Sequence, residues 1–456
     1  NQRIDGPMVA RKAKEDTPFH VCVRLFALGQ PVAEKRVREI LSGRVTGQLL
    51  AVGLLIPDGE SVRSIAKLMP FNEWYIIGDY GSEVTGAPPR SDHVLGVGAA
   101  SISLSNYTVR RPCGSVLDLG TGAGIQALLA SRHARSVLGT DTNERALNFG
   151  AFNAWLNGME NITFRRGSFF EPVQGEKFDL VVSNPPYVIS PESKYIYRDS
   201  GLRGDEVCER VVGGAARHLA DGGYATILTN WHHAGDGDWD ETPRKWAAGT
   251  GCDAWILCFD TELPVTYAAK WLRSSGECDD ARFARSLDEW LAYYEGLKIG
   301  RISAGVVVLR RAAGRPAWVR ADRIDMGPHS GVCGSQIQRI FDSETFLQAI
   351  QDDGVLLDSP YVACPDHVLE HGLAIEGGEW AMRSSQLRLT HGLAFSGAVD
   401  LYVTAMLARC DGKRPLQAIM REVMGDESAG QGETRAAVVE MVKKLLKSGL
   451  ILPSPA

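Results

Sequence analysis

One stretch constrains the fold of this chain more than any other: Val116-Leu117-Asp118-Leu119-Gly120-Thr121-Gly122-Ala123-Gly124. A short apolar run ends, three alternating glycines follow, and a helix-forming segment, Ile125–Ala134, begins. Glycines there let the backbone turn sharply. They also let a ligand lie against bare N–H groups at a helix N-terminus. A dinucleotide-binding loop wants Gly at position 125, where Ile stands, so that fingerprint fails.

Around this turn, strands and helices alternate over about 91–312. The strands are expected at Ser115–Leu119, Ser136–Thr140, Ile162–Arg165, Phe178–Ser183 and Tyr224–Thr229, with Trp255–Phe259 and Gly305–Arg310 finishing the sheet. Helices are expected at Asn143–Asn157 and Glu206–Leu219. This alternation predicts an α/β domain with a doubly wound, mostly parallel, seven-stranded sheet.

Two regions flank it. Residues 1–90 read as helices Val21–Leu28, Val32–Leu41 and Thr46–Leu55, then a strand ending Glu73-Trp74-Tyr75-Ile76-Ile77. A turn-rich passage, Gly86-Ala87-Pro88-Pro89-Arg90, closes that region. Residues 313–456 have no clear pattern up to about 380, then read as helices ending in a strand. Leu49-Leu50-x-x-Gly53-Leu54-Leu55-Ile56 is echoed by Leu445-Leu446-x-x-Gly449-Leu450-Ile451-Leu452. A helix closed by Gly and followed by a strand is the end of a winged-helix domain, and equally of any helix so closed. Winged helices are an expectation for both flanks, from about 385 in the second.

Composition excludes several classes. The 456 residues are 44% hydrophobic, which argues against disorder, and no uncharged apolar run is long enough to span a membrane. Net charge is −6, and residues 330–456 carry eleven basic against sixteen acidic side chains, which weighs against broad nucleic-acid affinity. Nine scattered cysteines without C-x-x-C suit reduced thiols in a cytoplasmic protein, with no metal expected. The N-terminus shows no basic-then-apolar signal segment. It also lacks Met, so further residues are expected upstream.

Two more signals carry chemistry. Asp141 ends the next strand, about 20 residues after the glycine turn, where a carboxylate accepts both hydroxyls of a ribose. It also suits an N-cap of the following helix. Asn184-Pro185-Pro186-Tyr187 directly follows the strand Phe178–Ser183. Two prolines fix the backbone and leave carbonyls as acceptors, Asn184 adds a side-chain carbonyl, and Tyr187 offers a flat ring. Together they describe a socket for a planar NH2 group.

The order D-x-G-x-G-x-G, strand-end Asp, N-P-P-Y resembles class I S-adenosylmethionine-dependent methyltransferases that act on amino or amide nitrogen. Arg198-Asp199-Ser200-Gly201-Leu202-Arg203-Gly204-Asp205 is similar to the loop after N-P-P-Y in release-factor glutamine methyltransferases. The resemblance covers about 91–312 only. It implies S-adenosylmethionine as cofactor, with Gly120, Thr121, Gly122 and Gly124 around its methionine part and Asp118 near its amino group. Asp141 and Thr142 would hold the ribose, and Ser168 and Phe169 would lie by the adenine. Ser168 departs from the acid usual in that family. Asn184, Pro185 and Tyr187 would orient the accepting nitrogen, and Asn184 would also border the cofactor. Pro186, Tyr195, Tyr197, Arg198 and His93 are candidate substrate contacts, His93 within the run 92–98.

The acceptor best matching these motifs is a protein glutamine side chain. The alternatives are an exocyclic amine of RNA or DNA, a small molecule or peptide of specialised metabolism, and a cofactor-binding regulator without turnover. His232 and His233 lack a third ligand at metal spacing and read as loop or substrate contacts. Cys252 and Cys258 read as core thiols. Lys443, Lys444 and Lys447 read as a solvated helix face. Oligomeric state is left open.

Overall fold

Eight strands form one sheet in the computed structural model, which describes residues 6–235, 237–274, 279–324, 331–393 and 395–454. They are β1 (Cys113–Leu119), β2 (Ala134–Asp141), β3 (Ile162–Arg166), β4 (Phe178–Ser183), β5 (Leu219–His233), β6 (Cys252–Glu262), β7 (Arg301–Arg311) and β8 (Val319–Arg323). Their order is β8-β6-β7-β5-β4-β1-β2-β3. Strands β1 to β5 run parallel, and β7 lies antiparallel between β5 and β6. The seven expected strands are present, mostly longer at their ends. The eighth, β8, pairs parallel to β6 from Ala254↔Val319 to Cys258↔Arg323. It carries the first compact unit to Arg323, past the expected boundary at 312. Val-Arg-Ala-Asp-Arg is no apolar run, and an edge strand needs none.

The order doubles back between β1 and β4, which opens a crevice at the strands' carboxyl ends. Helices cover the sheet because their apolar spacing demands it. These are α1 (Ile125–Ser131), α2 (Glu144–Leu156), α3 (Glu206–His218), α4 (Pro264–Ser274) and α5 (Asp280–Gly296). In α3, Val207, Cys208, Val211, Val212, Ala215 and Ala216 recur at helical spacing and are all buried. They pack on Leu117, Val181, Ile227, Val307 and Ile256 of the sheet. Gly214 makes this possible, since a Cβ there would sit 2.1 Å from the Phe170 ring.

Before the sheet, helix Pro18–Cys22 runs into a wider turn, Val23–Ala27, and helices Glu34–Leu41 and Gly43–Ala51 follow. Strands Val32–Ala33, Ser61–Ser64 and Leu55–Asp58 form a small antiparallel sheet in that order. The third expected helix stops at Ala51 rather than Leu55, because Gly53 adopts φ 75° and Leu55 begins a strand. A hairpin of Lys67–Phe71 and Trp74–Gly78 leads to a strap over 79–98. Among helices that the sequence pattern did not predict are Ala99–Tyr107, α4 and α5.

The second compact unit contains residues 106–110 with 324–456. Cys333 N–H donates to the Asn106 carbonyl at 2.8 Å, and Gly334 sits so close to Thr108 that a Cβ would meet its carbonyl at 2.2 Å. Helix Gly334–Ala349 is followed by a three-stranded sheet ordered Asp411–Pro415, Pro360–Ala363, Ile451–Pro453. A long hairpin, His367–Glu376 with Glu379–Leu389, rises from it and turns on Gly377-Gly378. Helices Leu401–Leu407, Leu416–Met424 and Gly432–Lys447 complete the unit. The last is stopped by Gly449 at φ 66° before Ile451, so both echoed motifs form a helix, a glycine stop and a strand. The eight described cysteines are free thiols. The ninth, Cys278, lies outside the described residues.

Candidate active site

A cavity of about 740 Å³ opens at the carboxyl ends of β1, β2 and β4. On one side it is lined by Asp118, Gly120, Thr121, Gly122, Asp141, Thr142, Ser168 and Phe169. Gly120, Gly122 and Gly124 have φ of 74°, 54° and 80°, in the left-handed region that side chains resist. Gly124 does not itself line the cavity. A Cβ there would lie 3.1 Å from Gly150 Cα, so this glycine sets how closely α1 packs on α2. The turn is pinned by Gly120 and Thr121 N–H groups, both donating to the Thr140 carbonyl at 2.9 Å.

Two carboxylates border this wall, and both are met by neutral donors. Asp118 Oδ2 accepts from Thr121 Oγ1 at 2.6 Å and from Ala127 N–H at 2.9 Å. Burial pushes its carboxyl up to about 7, against the pull of those two hydrogen bonds, and the nearby Asp141 adds to the rise. Asp141 Oδ2 accepts from Gly122 N–H at 3.0 Å and Oδ1 from Asn143 N–H at 2.9 Å. Burial raises its carboxyl too. The N-cap of α2 is Asn143, whose side chain accepts from Arg145 N–H at 3.0 Å, so Asp141 is not spent on that task. A cavity edge with two acids, neither with a cationic partner among the described residues, suits a positively charged ligand. Phe169 stands at φ 47°, strain that a bulky side chain adopts only where its surroundings impose it.

The opposite wall begins with Asn184, Pro185 and Pro186. A Cβ on Gly120 would lie 4.0 Å from the Asn184 carbonyl, so glycine turn and N-P-P-Y are neighbours. Asn184 Oδ1 is buried and has no hydrogen-bond partner among the described residues. A buried acceptor left unmet costs about 1–3 kcal/mol, so a donor from a ligand would relieve it. The Pro185 carbonyl accepts from Tyr187 N–H at 2.7 Å, leaving one lone pair.

The structure redistributes the remaining candidates. Tyr197 and His93 line the cavity with ring centroids 5.6 Å apart. His93 Nδ1 lies 3.6 Å from Asp79 Oδ2. Tyr187 does not line the cavity. Its ring packs between two apolar clusters, and burial pushes its phenol up to about 12. Tyr195 and Arg198 also lie off the cavity, buried in packing and ion pairs. His233 is held by Ser303 Oγ at 2.9 Å, and His232 N–H donates to Asp205 at 3.0 Å.

Sequence reasoning missed Asp79 and Asp199, which both line the cavity. Asp79 takes Arg145 through both oxygens at 2.6 Å and Val94 N–H at 2.8 Å, clasping the strap onto the start of α2. Burial alone would raise the Asp79 carboxyl, but Arg145, the Val94 N–H and His93 outweigh it and hold it below the usual carboxylate range. An acid directly after an apolar strand was the available signal. Gly78 lets the strap return, since a Cβ there would meet Gly96 N at 2.8 Å.

Comparison with known proteins agrees with this geometry. Residues 98–236 match the family described as the methyltransferase small domain. Residues 7–65 and 338–453 match two families each described as a domain of unknown function. Release factor glutamine methyltransferase of Xylella fastidiosa is 34% identical over 155 residues, covering 31% of this chain and 55% of the relative. Ribosomal protein uL3 glutamine methyltransferase of Bradyrhizobium diazoefficiens is 33% identical over 145 residues, covering 29% and 46%. The chain thus spans about half the length of the curated relatives it matches. The crystal structure of the Bacillus subtilis YcgJ protein aligns with TM-score 0.32 and 16% identity, covering 48% of this chain and all of that one. Over residues 98–236, then, this chain is similar to the methyltransferase small domain, and over 155 residues it is similar to a glutamine methyltransferase.

Proposed function

We propose that this chain is an S-adenosylmethionine-dependent N-methyltransferase whose acceptor is a planar amide nitrogen, best a protein glutamine side chain. The observation that carries this reading is Asn184 Oδ1, buried and without a partner among the described residues, beside a glycine turn at the sheet's switch point. The residues present fit the cofactor. Among the described residues Asp118 and Asp141 meet only neutral donors, which suits a cationic ligand. The backbone at Gly122 has open space where a Cβ would be.

When bound, S-adenosylmethionine supplies an electrophilic methyl group on a sulfonium. Asp141 would hold the ribose hydroxyls, Gly120 and Gly122 the methionine part, and Ser168 and Phe169 the adenine. Asn184 Oδ1 and the free lone pair of the Pro185 carbonyl accept the two N–H bonds of the incoming amide. Gripping both bonds orients the nitrogen lone pair and favours a tetrahedral nitrogen. Positioning of this kind contributes roughly 7–11 kcal/mol in favourable cases. The nitrogen then releases its surplus proton to water, so the socket needs no strong base.

A protein acceptor is favoured over a nucleic acid by the charge of the cavity wall. Of the four aspartates that line it, Asp79 is paired with Arg145 and Asp199 with Arg198. Asp118 and Asp141 have no cationic partner among the described residues, where Lys67 is the one Lys or Arg of the lining. A polyphosphate backbone asks for the reverse. The flanking sheets and helices, read as winged-helix modules, would then present a protein rather than grip phosphates. Lys443 fits that view, paired with Asp353 at 3.0 Å and Glu440 at 3.1 Å.

The test is a label-transfer assay. Purified protein and methyl-labelled S-adenosylmethionine are added to a cell extract, which is then split into protein, RNA, DNA and small molecules. Label in the protein fraction, on glutamine by mass spectrometry, is expected. Label only in nucleic acid or small molecules overturns the acceptor, and label nowhere overturns the activity.

A further inference from the structure

Arg198 was expected at the substrate, yet its side chain is 2% exposed and lies off the cavity. Its Nε and Nη2 reach Asp199 at 2.7 and 2.9 Å, and Nη2 reaches Glu192 at 2.6 Å. Its flat face lies 4.9 Å from the Tyr195 ring and 5.7 Å from that of Trp290. We propose that Arg198 is a positioning residue that holds N-P-P-Y in register through Asp199. The proposal rests on the reading above that N-P-P-Y grips the accepting nitrogen.

The connection is continuous. Asp199, whose side chain is wholly buried, forms an antiparallel bridge with Tyr187, one residue beyond Pro186. The Arg198 carbonyl accepts from Val188 N–H at 3.3 Å. Asp199 also takes Ser190 Oγ at 3.0 Å and Tyr195 N–H at 3.1 Å, so one carboxylate ties both strands of the loop. The far end is bolted to α5 and α4. Trp290 Nε1 donates to Glu192 at 3.1 Å, Tyr294 OH donates to the Ile189 carbonyl at 2.8 Å, and Tyr267 OH accepts from Ile189 N–H at 3.2 Å.

Arg198 is therefore the strut between the packed helix pair α4 and α5 and the acceptor wall. Only a planar fork meets two carboxylates and two rings at once, which a lysine ammonium does not. A buried ion pair is weak evidence for stability by itself, so position rather than strength is the property to test.

Arg198→Met and Arg198→Lys would be compared with the unaltered full chain, using labelled S-adenosylmethionine and the protein fraction of a cell extract. Three quantities are read: transfer rate, cofactor Kd, and hydrogen exchange of peptides covering 187–200. In Arg198→Met, transfer is expected to fall about 100-fold, as for a displaced catalytic contact. Cofactor Kd stays within about threefold, since cofactor-side contacts are untouched. Exchange over 187–200 quickens about tenfold or more, as for local opening, with 113–141 unchanged. Arg198→Lys recovers only part of each. Transfer within twofold of the unaltered chain, or unchanged exchange over 187–200, overturns the proposal. If Arg198→Met fails to fold, Arg198→Lys is judged by the same two readings. If the unaltered protein transfers no methyl, the reading of N-P-P-Y fails, while exchange still decides whether Arg198 holds the loop.

Discussion

The two walls of the cavity are built by different means. The cofactor-side wall is mostly backbone: two positive-φ glycines, Gly120 and Gly122, and two carbonyl-pinned N–H groups, joined by two acids that accept from neutral donors. It sits on β1 and β2, which pair in parallel with each other from Cys113↔Ala134 to Leu119↔Thr140, while β2 also pairs with β3. The proposed acceptor-side wall is a loop of 22 residues between β4 and α3, held by side chains that reach α4 and α5. A backbone wall fits any ligand with one fixed shape. A side-chain wall can be retuned to a new acceptor without disturbing the first. The comparison therefore predicts that damage to one wall leaves the other's function standing.

The largest effect is expected from Asn184→Ala. Transfer should drop about 100-fold or more, as for loss of one oriented polar contact in a transition state, while cofactor Kd from calorimetry stays nearly the same. A matching fall in cofactor affinity would merge the two walls into one. Asp141→Ala should do the opposite. Cofactor affinity falls about 10- to 100-fold, the worth of charge-assisted hydrogen bonds, and the rate at saturating cofactor changes little.

Proton linkage sharpens the point. With its carboxyl near 7 in the free protein, Asp118 is neutral below that pH and ionised above it. A cationic ligand prefers the ionised form, so cofactor affinity should rise between pH 6 and 8, by up to about tenfold for one linked group. Affinity that is flat or falls with pH would show that Asp118 does not face the charge. The sign for folding is the reverse. An acid whose carboxyl is raised in the fold binds protons more tightly there, so its contribution to stability falls as pH rises from about 4 to 7.

The smallest effect is expected from Gly122→Ala. Nothing lies within 4 Å of the new Cβ, so only the left-handed backbone resists it. Thermal melts of the ligand-free protein should show a loss of about 1–2 kcal/mol. No loss would mean the turn relaxes freely.

The same contrast explains what could be read in advance. Parallel strands buried on both faces are apolar runs, and β4 was legible to the residue. The glycine turn was legible because its chemistry is local. The acceptor wall was not. Tyr187, Tyr195 and Arg198 carry the right chemistry for a pocket, but the face each side chain takes is decided by α4 and α5, which were not foreseen. Helical spacing in Phe283, Leu287, Trp290, Leu291 and Tyr294 was there to be found. In the second unit, Gly377-Gly378 between alternating residues is a two-residue hairpin signal, obscured by the polar exposed strands beside it. Strand β8 had no local signal at all, because its pairing with β6 alone makes it a strand.

The most direct test of the account is where the methyl group goes. Protein labelled with methyl-labelled S-adenosylmethionine is hydrolysed in strong acid, the hydrolysate is made alkaline so that amines lose their proton, and the volatile products are collected. An N-methylated side-chain amide releases its label as methylamine, which is the predicted result, and Asn184→Ala should cut it about 100-fold or more. Label released instead as methanol in mild base, from an ester, or label retained on an amino-acid carbon or amine, would contradict an amide-nitrogen acceptor.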